Sequence, residues 1–185
     1  VRQKIAEKTI FNLLGPHTNP CSAKKQVLGV YDEKLVKMFS NVAKNLDMKH
    51  VMIVHGDDGF DEISICSETT VSELKDNNIS EYKISPRDYG LNLSSFDQIA
   101  ANSSDESLLL VNSAFNGESS AVQDMIALNS GAALYVANVV NSISDGIEMA
   151  FDCMNNGQAA QKLADYVRVS NLSLIHISEP TRQVL

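Results

Sequence analysis

The 185-residue chain is 44% hydrophobic and 21% charged, a composition typical of a globular protein with a buried core. Its 15 basic and 23 acidic residues give a net charge of -8 without a basic run, which argues against nucleic acid as the main partner. No apolar stretch approaches the ~20 residues that span a bilayer, so the sequence excludes an integral membrane protein.

The first predicted unit is a strand, a helix and a second strand. Residues 26–31 form a compact apolar strand, and Asp32 is placed to cap the following helix by accepting an amide hydrogen bond. The helix repeats apolar residues on one face: Leu35, Phe39, Val42 and Leu46. Residues 50–55 are a nearly continuous apolar strand of the kind buried on both faces of a parallel sheet. This order predicts a right-handed βαβ unit.

Three further segments alternate apolar and polar residues with the period of a strand: residues 62–66, 70–74 and 79–84. Between the last two, the Asp-Asn-Asn cluster at residues 76–78 is a hairpin turn signal. These patterns predict an antiparallel extension of the sheet.

Beyond Pro86 the pattern becomes helical. Helices are predicted from Ser103 to a stop at Gly117, then over about residues 120–141, 145–154 and 157–167. The longest has an apolar stripe that we expect to be buried: Val122, Met125, Ile126, Ala133, Val136 and Val140. Its small residues 131–133 permit close packing. The predicted fold class is α/β, with a mixed β-sheet flanked by helices.

The three cysteines, Cys21, Cys66 and Cys153, are far apart in the sequence and odd in number. This spacing argues against a disulfide scaffold or a zinc knuckle, and it fits the reducing environment of the cytoplasm.

Both ends of the sequence are unusual. The chain begins at Val1 inside a predicted helix, and residues 172–182 look like the translation of a sequencing-library adapter. We therefore expect residues 171–185 to be a non-native, disordered tail and exclude them from the fold. We also expect the natural protein to extend beyond both ends.

An acidic loop follows the second apolar strand. Residues 55–62 carry four carboxylates within six residues, together with two glycines. The end of a strand in an open α/β sheet is the usual position of a ligand crevice, and hard oxygen ligands of this kind suit Mg²⁺. A solvated acidic hairpin without a ligand explains the residue types equally well.

Other polar residues have simpler explanations. The loop at residues 12–20 contains Gly15 and two prolines, and a structural turn accounts for it. Arg2 by itself is typical of a solvated surface residue. His50 and His55 flank a buried strand without a companion His or Cys, which favours structural histidines over metal ligands. No Ser–His–Asp or Cys–His set can be assembled from the sequence.

Four segments, in order and correctly spaced, resemble the anthranilate phosphoribosyltransferase family: residues 9–20 (TIFNLLGPHTNP), 29–31 (GVY), 54–64 (VHGDDGFDEIS) and 84–91 (ISPRDYGL). The resemblance extends from Val1 to about Val167. It implies a partial phosphoribosyltransferase α/β domain of the type shared with nucleoside phosphorylases, with residues 1–170 as its C-terminal part. The family moves a phosphoribosyl group from phosphoribosyl pyrophosphate to the amine of anthranilate and is typically a homodimer.

The resemblance also assigns roles to four residues. Asp61 and Glu62 match the acidic pair that holds Mg²⁺ on the pyrophosphate. Arg2 matches the arginine that pairs with the anthranilate carboxylate, and Gly15 matches the glycine beside that substrate. Mg²⁺ and a bidentate arginine explain catalysis by positioning and electrostatics, without a protein nucleophile. The family's glycine-rich phosphate loop is missing from this chain, so we expect the 185 residues alone to be inactive.

Two alternatives remain open at this stage. A pyrimidine-nucleoside phosphorylase shares the architecture and a ribosyl substrate, but it need not carry the acidic pair or the Arg2 contact. A non-catalytic paralogue would keep the fold as a binding or regulatory module.

Overall fold

A four-stranded mixed sheet forms the centre of the protein. The computed structural model describes residues 15 and 19 and residues 21–118 and 120–178. The strands, which lie in sequence order across the sheet, are β1 (Lys25–Gly29), β2 (His50–Gly56), β3 (Thr69–Lys75) and β4 (Asn78–Ile84). β1 and β2 are parallel, whereas β3 and β4 extend the sheet in antiparallel fashion. The mixed sheet predicted from the sequence is confirmed.

Helix α1 (Lys34–Asn45) connects β1 to β2 and completes the predicted βαβ unit. The Asp32 carboxylate accepts a hydrogen bond from the Lys34 amide at 3.0 Å, as a residue near a helix start is expected to do. The buried face of the helix is rotated by about one residue from the predicted stripe and consists of Val36, Phe39, Ser40 and Ala43. Small Ser40 lets the helix lie close to the sheet, where its hydroxyl contacts that of Ser72 at 2.8 Å.

The β3–β4 hairpin turns at Asp76 and Asn77, both with positive φ angles of 48° and 65°. Lys75 pairs with Asn78 across this two-residue turn, which confirms the predicted hairpin. The strand predicted at residues 62–66 is wrong, because the segment is a loop. Ile63, Ser64 and Ile65 are all fully buried without joining the sheet, so the alternation of apolar and polar residues does not mark two faces of a strand.

Four helices follow the sheet: α2 (Ser104–Phe115), α3 (Ser120–Val136), α4 (Ile143–Asn155) and α5 (Gln158–Ser178). The Ser103 hydroxyl caps α2 by accepting from the Glu106 amide at 3.1 Å. Helix α3 ends five residues earlier than its predicted end at residue 141, and Asn138 lies just beyond it with a positive φ of 62°. Helix α5 continues to Ser178, so the described part of the tail is helical, while the non-native origin of the tail stays a prediction.

Gly131 of α3 and Gly146 of α4 lie at the crossing of these two helices. A Cβ on Gly146 would lie 2.5 Å from the Gly131 carbonyl oxygen, so the backbones approach each other directly. The close packing predicted for the small residues of α3 is thus confirmed at Gly131. The predicted stripe is only partly buried, since Val122 and Val136 are buried while Ala133 is exposed.

Apolar residues cover both faces of the sheet. Val51 and Ile53 of β2 pack toward α1, while Met52 and Val54 belong to the larger core with α3 and α4. The central strand is therefore buried on both faces, as its continuous apolar sequence predicts. Among the described residues, none of the helices has the length and apolar character needed to span a membrane.

Candidate active site

The carboxyl ends of β1 and β2 lie side by side, since Gly29 pairs with Val54. A cavity of about 280 Å³ opens at this edge of the sheet. Its lining consists of Val27, Gly29, Val54, Asp61, Glu62 and Asn129. The acidic loop predicted as a ligand site thus contributes two of its acidic residues to a crevice at the expected position.

The loop after β2 uses one of its own carboxylates as a scaffold. Asp58 accepts a hydrogen bond from the Ser64 hydroxyl at 2.5 Å and another from the Phe60 amide at 3.3 Å. The Gly56 amide donates to the Phe60 carbonyl at 2.8 Å and closes the turn. These contacts stabilise the loop, so Asp58 is already engaged in holding the turn.

A second carboxylate of the loop is neutralised by a lysine from the sheet. Lys83 of β4 contacts Asp57 at 2.6 Å and lies 4.0 Å from Glu68. The Thr70 hydroxyl lies 3.4 Å from the other oxygen of Asp57. Asp57 therefore ties the loop to the antiparallel half of the sheet.

Asp57 pairs with Lys83 and Asp58 is held by hydrogen bonds, so Asp61 and Glu62 are the two acids of residues 55–62 whose carboxylates have neither kind of contact among the described residues. Both residues are exposed overall, but surrounding protein desolvates the Glu62 carboxyl and, together with the charge of Asp61, raises its pKa. Adjacent carboxylates that repel each other and lack a protein cation are suited to a divalent metal ion.

The backbone of this pair lies against β1. A Cβ atom on Gly29 would overlap the carbonyl oxygen of Asp61, so only glycine permits the loop to approach the strand at this point. The motif at residues 29–31 therefore has a structural reason for its glycine.

Asn129 of α3 lies on the other side of the pair. Its side-chain oxygen accepts from the Ile63 amide at 3.0 Å, and its nitrogen donates to the Ile63 carbonyl at 2.9 Å. Sequence reasoning missed this residue. The only available signal was an amide side chain inside the apolar run of α3.

The remaining predicted site residues lie elsewhere. Arg2 is outside the described residues, so its predicted role stays a prediction. Gly15 is exposed and is not among the residues that line the cavity. The Nδ1–H of His55 donates to the Val30 carbonyl at 2.8 Å, and His50 contacts Glu73 at 2.7 Å. Both histidines have structural partners, in agreement with the interpretation of the sequence.

Comparison with known proteins assigns the family. Residues 1–160 match the model of the glycosyl transferase family, a/b domain. The chain belongs to this family. The cavity at the carboxyl ends of β1 and β2 lies where open α/β sheets usually bind their ligands, as expected for an a/b domain.

Curated relatives of this glycosyl transferase chain are anthranilate phosphoribosyltransferases. The chain is 46% identical over 170 residues to the enzyme of Vesicomyosocius okutanii and 47% identical over 169 residues to that of Ruthia magnifica. These alignments cover 92% and 91% of the chain and 50% of each relative. The chain thus spans about half the length of the curated relatives it matches.

Solved structures support the same family. The anthranilate phosphoribosyltransferase of Thermus thermophilus superposes with a TM-score of 0.81 at 29% identity, over 90% of this chain and 49% of that one. The enzyme of Saccharomyces cerevisiae in complex with PRPP and Mg matches with a TM-score of 0.76 at 23% identity, over 88% and 47%. At 23% identity, the similarity to the Saccharomyces cerevisiae enzyme shows the fold alone.

Proposed function

We propose that this chain is the C-terminal part of the α/β domain of an anthranilate phosphoribosyltransferase. The full-length enzyme would transfer the phosphoribosyl group from phosphoribosyl pyrophosphate to anthranilate, releasing pyrophosphate and N-(5-phosphoribosyl)anthranilate in tryptophan biosynthesis. The observation that carries this proposal is the Asp61–Glu62 pair, which faces a strand-end cavity without a protein cation among the described residues. The 46% identity to enzymes of this name supports it.

The donor set of the pair fits Mg²⁺. This ion typically takes one or two protein carboxylates and completes its coordination with water and substrate phosphates. The described residues contain no group of three or more His, Cys, Asp or Glu side chains that could hold a metal. A two-carboxylate site agrees with both points. Asp61 and Glu62 would hold the ion, which supplies positive charge to the pyrophosphate leaving group.

The residues of this chain would act by binding and orientation. Asp61 and Glu62 would hold the divalent ion at the edge of the sheet, so that its positive charge is available there to the pyrophosphate end of one substrate. Arg2, by its resemblance to the family, would grip the anthranilate carboxylate in a bidentate manner, with Gly15 beside that substrate. Holding the amine near the ribose carbon in this way lowers the barrier through proximity.

Replacement of the acidic pair in the full-length enzyme tests the proposal. Asp61→Asn and Glu62→Gln should each lower the rate of phosphoribosyl transfer by roughly 10²-fold, because a charge that stabilises the transition state is lost. The matched control is Glu68→Gln, which removes an exposed carboxylate from the same connection between β2 and β3, outside the acidic loop, and should leave the rate nearly unchanged. Unchanged kinetics in both test variants would remove the metal assignment.

The same assay separates this function from the alternatives. A pyrimidine-nucleoside phosphorylase would split a nucleoside with phosphate and ignore anthranilate, and a binding module would show neither activity. The relatives support the phosphoribosyltransferase. A cytoplasmic location and a homodimeric full-length protein complete the proposal.

A further inference from the structure

Asn129 uses its whole amide group to hold the segment that follows Glu62. Besides the two hydrogen bonds with Ile63, its nitrogen donates to the Met125 carbonyl one turn earlier in α3, at 3.1 Å. The amide therefore replaces a neighbouring strand for Ile63, whose backbone has both its donor and its acceptor satisfied by one side chain.

This contact matters for the geometry of the acidic pair because Ile63 is adjacent to Glu62. Ile63 is fully buried, so bulk water cannot replace the Asn129 side chain as the hydrogen-bond partner of its backbone unless the structure opens locally. On the opposite side, the Asp61 carbonyl lies directly against Gly29. The two carboxylates are thus carried by a short backbone segment that is fixed at both ends, once by β1 and once by α3.

We propose that Asn129 is a positioning residue that holds the Asp61 and Glu62 carboxylates in the geometry needed to bind the divalent ion. The proposal rests on the proposed function, since it concerns the same acidic pair. Asn129 itself also lines the cavity beside that pair. Replacing a residue that orients the metal-binding side chains typically weakens metal affinity by roughly 10–100-fold, and we expect an effect of this size for Asn129.

A purely structural role predicts a different result. If the amide only satisfied buried backbone groups, its loss would lower stability without changing the Mg²⁺ requirement of the folded protein. The two roles are therefore separated by the dependence on Mg²⁺ concentration, measured on variants that fold.

The test uses Asn129→Leu and Asn129→Ser in the full-length enzyme. Leucine keeps the approximate volume but removes the amide. Serine is too short to span the gap but leaves room for water, which can satisfy Ile63 and preserve folding. The matched control is Ser130→Ala on the same helix, whose side chain borders a different cavity, between the helices.

Four measurements decide the outcome. Amide hydrogen exchange at Ile63 should accelerate in both variants. The Mg²⁺ concentration at half-maximal rate, and the dissociation constant of Mg²⁺ from calorimetry with phosphoribosyl pyrophosphate present, should rise about tenfold. The KM for anthranilate should change less than about twofold, because uniform substrate binding is untouched.

The proposal is overturned if a folded variant keeps the wild-type Mg²⁺ dependence, or if Ile63 keeps its protection from exchange. Such a result would leave the proposed function intact, because the wild-type enzyme and the Asp61 and Glu62 variants report on that function separately. A wild-type enzyme without Mg²⁺-dependent transfer would instead remove both, and this outcome is recognisable before any Asn129 variant is assayed.

Discussion

A buried ionic cluster on the opposite end of β2 gives the most direct test of how this fold is stabilised. Glu73 is only 7% exposed, and three groups converge on its carboxylate. They are His50 at 2.7 Å, Tyr82 at 2.8 Å and Tyr135 at 2.9 Å. Burial acts to raise the pKa of Glu73, but the hydrogen bonds from Tyr82, His50 and Tyr135 outweigh it and hold the pKa below the ordinary value of 4.5.

Glu73→Gln should destabilise the full-length protein by about 2–4 kcal/mol. The Glu73 carboxylate accepts from His50, Tyr82 and Tyr135. A glutamine has one accepting oxygen, and its NH₂ group would face a donor and could not accept from it. One or two hydrogen bonds to a charged group are therefore lost, each worth about 1.5–3 kcal/mol. Urea unfolding followed by circular dichroism near pH 7 measures the difference, with Glu81→Gln as control. Glu81 is half exposed and pairs with an exposed Lys37, so its loss should cost less than about 1 kcal/mol.

The pH dependence of the same difference gives a second readout. Because the folded carboxyl has a lower pKa than the unfolded one, its stabilisation is present above about pH 4.5 and is lost as the pH falls through the folded pKa. The stability difference between wild type and Glu73→Gln should therefore shrink on acidification. A difference under about 0.5 kcal/mol at neutral pH, or one that stays constant down to about pH 3, would refute this reasoning.

Substitutions at three further positions test particular contacts. Gly146→Ala should lower the free energy of unfolding by about 1–3 kcal/mol, because the new Cβ would lie 2.5 Å from the Gly131 carbonyl oxygen. Thermal unfolding measures this loss, and an unchanged melting temperature would contradict the close crossing of α3 and α4. Ser103→Ala should cost about 1 kcal/mol in urea unfolding through loss of the α2 cap, whereas Ser103→Asp should retain stability. Gly29→Ala should displace the Asp61 backbone and raise the Mg²⁺ requirement of the full-length enzyme about tenfold; wild-type Mg²⁺ dependence would show that the approach to β1 is unimportant.

The parts of the fold that the sequence predicts are those specified by neighbours in the chain. The continuous apolar run of β2 indicated burial on both faces, and the Asp-Asn pair at residues 76 and 77 indicated a tight hairpin. In each case the deciding interactions lie within a few residues, so a local pattern contains the necessary information.

Long-range contacts explain where the sequence misled. Residues 62–66 have the alternation of a strand, but the partner of Ile63 is a side chain 66 residues further along the chain. The Ser64 amide likewise donates to the side-chain hydroxyl of Thr69, at the start of β3, and not to a strand backbone. Ile63, Ser64 and Ile65 are all fully buried, so the apolar–polar alternation comes from a buried serine whose hydroxyl donates to Asp58, and only the tertiary structure distinguishes this from a strand with one exposed face.

The same dependence on distant residues governs the choice among the four acids of the loop. From the sequence they are equivalent hard oxygen ligands, and only the family resemblance singled out two of them. In the structure, Lys83 of β4 neutralises Asp57, and the Ser64 hydroxyl engages Asp58. Asp57 and Asp58 are therefore engaged in the contacts that stabilise the turn. Asp61 and Glu62 have no such contacts among the described residues, and their two negative charges match one divalent cation. The fold thereby separates the acids that shape the loop from those that face the cavity, which is why a single loop can be both rigid and strongly acidic at its open edge.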